Sequence, residues 1–213
     1  MARFGFGVAA TLKLTDVSYR NLDYWAKTGL VRSSIRQAQG KGTRRVYAFE
    51  DLVALRLVRR LRDAGVPLQA IRRAVQYLQR HSERPLTTLA LVSDGSRILA
   101  LTEDPRRMVE ATAEGQVVVA INVEPIRRTL EASVSRLGAP RTLNVRVHGR
   151  SYQTVLTPDL EQGGYGVEVP ELPGCFSQGD DVADARSMAK EAIELWLETA
   201  RSVGARSPRA ARI

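Results

Sequence analysis

The sequence predicts an α+β chain of several small domains: mainly helical at the front, mixed in the middle, and a β-β-β-α unit at the back. Three observations lead there. Apolar residues recur with helical spacing through much of residues 8–79, and they alternate with a period of two through much of 142–169. Between the two regions the charge changes sign: residues 1–80 hold 16 Lys and Arg against 5 Asp and Glu, whereas 151–198 hold 2 against 10. Such asymmetry in a chain of 213 residues with net charge +9 points to two partners, a polyanion for the front and something basic for the back. Two solvated domains of opposite charge are the plainer alternative.

Composition narrows the function classes. The N-terminus MARFGFGVAATLKLTD has neither a long apolar run nor a small-residue cleavage pattern, so no signal peptide is expected. No stretch approaches the roughly 20 apolar residues of a membrane helix. The expectation is a cytoplasmic protein with no membrane partner. One cysteine, Cys175, excludes an internal disulfide, and His81 and His148 are too far apart in sequence for a Cys/His metal cluster.

At the front, VAATLKL reads as a first helix. Val17 and Ser18 make a turn, with Ser18 as N-cap of a second helix whose apolar stripe is Leu22, Trp25 and Ala26. Two short helices across a tight turn form a helix-turn-helix, whose second helix enters the major groove. At its start stand Tyr19, Arg20 and Asn21. Arg pairs bidentately with guanine or phosphate, Asn pairs with adenine, and Tyr donates to phosphate. The segment RSSIRQAQGKGTRRVYAF follows, with Arg36, Lys41, Arg44 and Arg45, and its stretch Arg45–Phe49 alternates like a strand. This predicts a two-stranded basic wing lying on the phosphate backbone. FEDLVALRLVRRLRDAG places Leu52, Leu55, Val58 and Leu61 on one helical face, with Glu50 and Asp51 in the first turn and Gly65 at the end. VPLQAIRRAVQYL adds a helix with Leu68, Ile71, Val75 and Leu78 inward. Arg59, Arg60, Arg72 and Arg73 read as a solvated basic face.

Taken together, residues 8–79 resemble the DNA-binding domain of MerR-type regulators. The resemblance implies base reading by Tyr19, Arg20 and Asn21, and phosphate contacts by Arg44, Arg45 and Tyr47 of the wing. The family's long dimerising helix is interrupted here at RHSERP, because Pro85 disfavours helix at and before it. The cysteines of its metal-sensing members are absent. Simple operator binding is what the resemblance implies.

In the middle, TTLALVSDGSRILAL reads as a hairpin turning at Ser93–Ser96. EDPRRMVEATAEG reads as a helix with Asp104 as N-cap and Gly115 past the end, QVVVAINV as a buried strand, and EPIRRTLEASVSRL as a helix. The order β-β-α-β-α predicts a small α+β connector or dimerisation unit, followed by a linker at Gly138–Arg141.

The back alternates through three β runs, broken at His148–Gly149 and Gln162–Gly164. A helix then carries Ala185, Ala189, Ala192, Ile193, Trp196 and Leu197 on one face, with Asp180 and Asp181 before it. Within GGYGVEVPELPGCFSQGDD, the elements Val169–Pro170, Leu172–Cys175 and Gln178–Asp180 resemble the hallmark of HicB-like antitoxins. Coverage is about residues 151–198. The resemblance implies a truncated ribonuclease-H-like fold that binds and masks a small basic toxin. The family's DNA-binding segment usually follows this domain, whereas here one precedes it. The candidate contact residues are Glu168, Pro170, Glu171, Pro173 and Gly174. The prolines end strand pairing and stiffen the turn, and the glycines permit positive φ. Cys175 has no His or Lys nearby in sequence to make its thiolate, so it reads as a small buried filler. Asp159, Glu161, Glu168 and Glu171 could pass for a two-metal nuclease site, but their spread over loops and strands reads as an acidic surface.

The expected domains are 1–82, 85–137 and 140–200, with a disordered basic tail at 201–213. The expected function is a bacterial transcriptional regulator, an antitoxin-type repressor. It would bind a double-stranded DNA operator as a homodimer or higher homo-oligomer, and a small basic toxin through its back domain. No catalytic residue, metal or cofactor is expected. The alternative is a MerR-type regulator without a toxin, its back domain serving oligomerisation or effector sensing.

Overall fold

The computed structural model describes residues 5–40, 43–81, 90–93, 98–101, 119–121 and 123–202. The chain forms two compact units, 1–134 and 135–213.

The first unit opens with strand β1 (Phe6–Gly7) and helix α1 (Val8–Thr15). Asp16, in the left-handed conformation at φ 55°, stops α1 and donates its N–H to the Leu12 carbonyl. Helix α2 (Tyr19–Lys27) starts at Ser18, as expected, with the Ser18 hydroxyl accepting from the Asn21 N–H at 3.3 Å. Leu22 and Trp25 are buried beneath it. Strand β2 (Val46–Tyr47) leads into α3 (Phe49–Asp63), and α4 (Leu68–His81) follows a turn with Gly65 at φ 83°. Leu52, Leu55, Val58, Leu61, Ile71 and Val75 are buried at the expected spacing. Leu68 is only partly covered, and the Leu78 side chain lies outside the described residues.

The wing differs from expectation. β2 is two residues long, both buried, and pairs antiparallel with β1 through Phe6↔Tyr47 and Gly7↔Val46. On its other side it makes a single bridge, Arg36↔Val46. The apolar Val46 and Tyr47 side chains seal the helical core, which draws the strand inward. Phe49, expected at the strand's end, begins α3 instead.

In the middle segment, β3 (Ala90–Ser93) and β4 (Ile98–Leu101) pair as the expected hairpin, and β5 (Val119–Ile121) joins β3 to give the order β4-β3-β5. The helix expected at 104–115 lies outside the described residues. Helix α5 (Glu124–Leu137) buries Ile126 and Leu130. Arg127 fastens it to the start of α3, its Nη1 donating to both Glu50 oxygens at 2.7 and 2.8 Å, and lies over the Phe49 ring.

The second unit is an antiparallel meander of β6 (Arg141–Val147), β7 (Arg150–Pro158), β8 (Tyr165–Glu168) and β9 (Phe176–Gly179), covered by helix α6 (Val182–Ser202). The β-β-β-α expectation therefore gains a fourth strand. FSQG pairs with β8 at the sheet's edge and shows no apolar alternation: Phe176 is 65% exposed, and the strand meets the covering helix at Gly179. His148 and Gly149 both have positive φ, as a two-residue hairpin turn requires. Val145, Val147, Tyr152, Leu156 and Val167 pack against Ala185, Ala189, Ile193 and Leu197. The small alanines let α6 approach the sheet closely. Asp181 caps it by accepting the Ala183 and Asp184 N–H groups, and Asp184 accepts that of Asp180 in return. Arg201 and Ser202 belong to α6, and the rest of the basic tail lies outside the described residues.

The tightest approach in this unit is at Gly179, where an added Cβ would run into the backbone of Ala185. Gly179→Ala is expected to destabilise the C-terminal unit by about 3 kcal/mol or more, by overpacking against backbone that cannot yield. Gly166→Ala, whose Cβ would meet nothing nearer than 3.8 Å, is expected to change stability by less than about 1 kcal/mol. Urea unfolding of the full chain, followed by circular dichroism, checks both.

Candidate nucleic-acid interface and acidic surface

The capped start of α2 projects from the helical core. Tyr19 is 61% exposed, Arg20 is exposed and Asn21 half-buried, so all three sit on the first turn of a helix anchored from below by Leu22 and Trp25. Helix N-termini also attract phosphate, because their unsatisfied N–H groups point outward. Tyr24 and Lys27, further along α2, are exposed as well and were not singled out by sequence.

The wing residues divide. Arg36 and Arg44 are exposed, and the Arg36 Nε donates to the Arg44 carbonyl at 3.1 Å, bracing the loop. Lys41 lies outside the described residues. Arg45 turns inward and pairs with Asp23 of α2 at 2.7 Å, while Asp23 also pairs with Lys27 at 2.8 Å. These hydrogen bonds, Lys27's first and Arg45's second, hold the Asp23 carboxyl below its ordinary range. Asp23 in turn raises the Arg45 guanidinium. Tyr47 is fully buried, and its hydroxyl has no hydrogen-bond partner of good geometry. Burial pushes the phenol up, an effect that the neighbouring Arg45 moderates. Sequence reasoning missed the Asp23–Arg45 tie because the partners stand 22 positions apart.

In the C-terminal unit the motif Val169–Cys175 forms two successive turns. The Leu172 N–H donates to the Val169 carbonyl, and that of Cys175 to the Leu172 carbonyl, both at 2.9 Å. Gly174 has φ 81°. The Trp196 indole N–H donates to the Pro173 carbonyl at 3.1 Å and so pins the turn to α6. Pro170, Pro173 and Gly174 are exposed along the turn. Glu171 points back to the sheet: it accepts the Gln153 N–H at 3.0 Å and pairs with Arg150 at 3.4 Å. Glu168 is exposed and stands in register with Phe176, so an acid and an aromatic ring share the face at the sheet's edge. Phe176, like Glu168, faces solvent, yet nothing in the sequence pattern marked it. Cys175 is buried and free, and burial pushes its thiol above the ordinary range, away from thiolate chemistry. Asp159 accepts the Glu161 and Gln162 N–H groups in a tight turn. Among the described residues, no group of three or more His, Cys, Asp or Glu side chains is arranged to hold a metal ion, and no helix is long and apolar enough to cross a membrane.

A capped, exposed helix start above a helical core, followed by a separate α+β unit, defines a multidomain helix-turn-helix protein. Residues 8–78 match the MerR HTH family of regulatory proteins, and residues 152–213 match the HicB-like antitoxin of bacterial toxin-antitoxin systems. An uncharacterized HTH-type transcriptional regulator of Mycobacterium tuberculosis (strain ATCC 25618 / H37Rv) is 36% identical over 131 residues, covering 62% of this chain and 58% of that protein. A regulator of the same description from Mycobacterium bovis matches to the same extent. The chain thus spans 58% of the length of these mycobacterial relatives. A UPF0150 protein of Thermoplasma acidophilum is 41% identical over 58 residues, covering 27% of this chain and 83% of that protein.

The Asp23–Arg45 tie makes a testable pH statement. A carboxyl held low in the fold stabilises above its unfolded pKa, and that contribution is lost as the pH falls through the folded one. A double-mutant cycle of Asp23→Asn and Arg45→Gln, read by thermal unfolding, is expected to return a favourable coupling at neutral pH. The coupling should fade once the medium is more acidic than the ordinary Asp range. A coupling of zero at neutral pH would show that wing and helix are independent.

Proposed function

We propose that this chain is a transcriptional regulator of the antitoxin-repressor type. Its first unit binds a double-stranded operator as a homodimer, and its second binds a small basic protein. The observation that carries this reading is the pairing, in one chain, of the first turn of α2, where Tyr19 and Arg20 are exposed and Asn21 half-buried, with an acidic domain that matches the HicB-like family. The names of the mycobacterial relatives support the regulator part, and the family of residues 152–213 supports the antitoxin part. A truncated ribonuclease-H-like fold for the C-terminal unit belongs to the same proposal.

In this reading Ser18 holds the start of α2 open to the groove, Tyr19 and Arg20 grip phosphate or guanine, and Asn21 reads adenine. Arg36, Lys41 and Arg44 follow the backbone. Arg45 and Tyr47 support the wing from within, since one is paired to Asp23 and the other enclosed. On the second unit, Glu168 steers a basic partner and Phe176 supplies apolar contact beside it. Pro170, Pro173 and Gly174 present a turn already fixed before binding, which lowers the entropy lost on association. Glu171 holds that turn to β7.

Two expectations follow. In a genome-wide selection with full-length protein, a specific duplex should be enriched. Arg44→Ala should then weaken binding to all sequences and reduce the log–log salt slope by about 0.9, while Asn21→Ala should relax sequence preference instead. Failure to enrich any site with folded protein would refute the regulator reading.

For the partner, the full chain should form a complex with the product of an adjacent small basic gene. Glu168→Lys should slow association, and Phe176→Ala should speed dissociation. Neither should alter operator binding. Surface plasmon resonance separates the two rates, and no complex with the unmutated chain would refute the antitoxin reading for that pair.

A further inference from the structure

A cleft of about 260 Å³ lies within the first unit, lined by Asp16, Arg56, Arg59, Arg60, Asp63, Pro125, Ile126 and Thr129. Three arginines one and three positions apart on α3 converge there with two aspartates. Their pairing is unequal. Arg59 reaches Asp16 at 2.5 Å and Asp63 at 3.4 Å. Arg56 gives its Nε and Nη2 protons to the Leu14 carbonyl, at 3.0 and 2.9 Å, a neutral acceptor rather than a carboxylate. The Arg60 side chain is exposed and has no hydrogen-bond or ion-pair partner among the described residues. Burial, with Arg59 and Arg60 adding to it, holds the Arg56 guanidinium below its ordinary range despite Asp16 nearby. The cleft thus has surplus positive charge and several unused N–H donors.

The geometry points to an effector site for a small phosphate- or carboxylate-bearing molecule, bound between Arg56 and Arg60 and competing with Asp16 for Arg59. Guanidinium forks suit the planar or tetrahedral oxygens of such anions. The volume is below the usual range for a drug-sized ligand, which selects a compact anion. The α5 wall of Pro125, Ile126 and Thr129 makes this a cleft between helices rather than a convex patch, which favours a small molecule over a duplex.

The site also has a built-in output. Leu14 contributes a C-terminal carbonyl of α1, and Asp16 is the left-handed residue that ends that helix two positions before the Ser18 cap. Arg56 and Arg59 therefore hold the turn that aims Tyr19, Arg20 and Asn21. An anion that draws these arginines away releases Asp16 and loosens that turn, so anion and operator oppose each other, each weakening the other by the same factor. This output rests on the regulator reading, whereas anion binding itself does not.

The test uses the full chain and inorganic phosphate at constant ionic strength, with citrate as a parallel arm, both by isothermal titration calorimetry. At least one of the two anions is expected to bind saturably, and the stronger arm tells phosphate from carboxylate chemistry. Arg60→Gln removes a side chain that holds nothing in place and is expected to weaken binding at least about tenfold, whereas Arg62→Gln, on the same helix but outside the cleft, leaves it unchanged. No saturable binding of either anion, or equal binding by Arg60→Gln, overturns the proposal. With an operator in hand, the anion should lower operator affinity in the unmutated chain and not in Arg60→Gln. If Arg60→Gln weakens operator binding with no anion present, the cleft contacts DNA phosphate and the effector assignment is overturned.

Discussion

The Oδ2 atom of Asp51 accepts three hydrogen bonds: from the Ser34 N–H at 2.8 Å, the Ser34 hydroxyl at 2.9 Å and the Ala48 N–H at 2.9 Å. One carboxylate oxygen thereby joins the loop after α2, the exit of β2 and the first turn of α3. Each of these contacts satisfies a backbone or hydroxyl donor that would otherwise lack a fixed partner, and the charge sits where the helix dipole favours it. The placement of the wing relative to α2 rests on this point and on the Asp23–Arg45 pair. For the operator binding proposed above, rigid positioning matters, because base edges are read by short-range hydrogen bonds with strict geometry.

Much of this was legible in the sequence. The Ser18 cap, the stripes Leu22–Trp25 and Leu52–Leu61, the hairpin turn at His148–Gly149 and the covering face of α6 follow from spacing and residue type alone. The structure added what local patterns do not encode. β1 is two residues long, below the length at which alternation can be seen, and it forms only because β2 passes beside it. β9 is an edge strand with an exposed aromatic, so its sequence looks like a turn. Asp51 looked like a charge suited to a helix start, and its grip on Ser34 depends on a fold that brings position 34 back to it. Arg45, Tyr47 and Glu171 have the residue types expected of contact surfaces; in the fold Arg45 pairs with Asp23, Tyr47 is buried, and Glu171 is tied to Gln153 and Arg150, relations that the local pattern does not show. A charged or aromatic residue in a recognition motif can be scaffolding for its neighbours.

The C-terminal unit repeats that lesson at a smaller scale. Its motif is rich in proline and glycine, but the turn it makes is held from three sides: by the Trp196 indole, by Glu171 across to Gln153 and Arg150, and by burial of Val169, Leu172 and Cys175. The apolar members enter the core and the prolines stay outside. The lone cysteine is a packing residue among them.

The Trp196–Pro173 bond has a practical corollary. The chain has two tryptophans, one in each unit. Trp25 is sealed in the helical core, while Trp196 is half-covered, its indole tethered to an exposed turn. Their emission is expected to differ in colour for that reason, the enclosed ring toward the blue and the tethered one toward the red. The molecule carries two native optical labels, so the two halves can be watched separately in one cuvette, without attaching a dye to either.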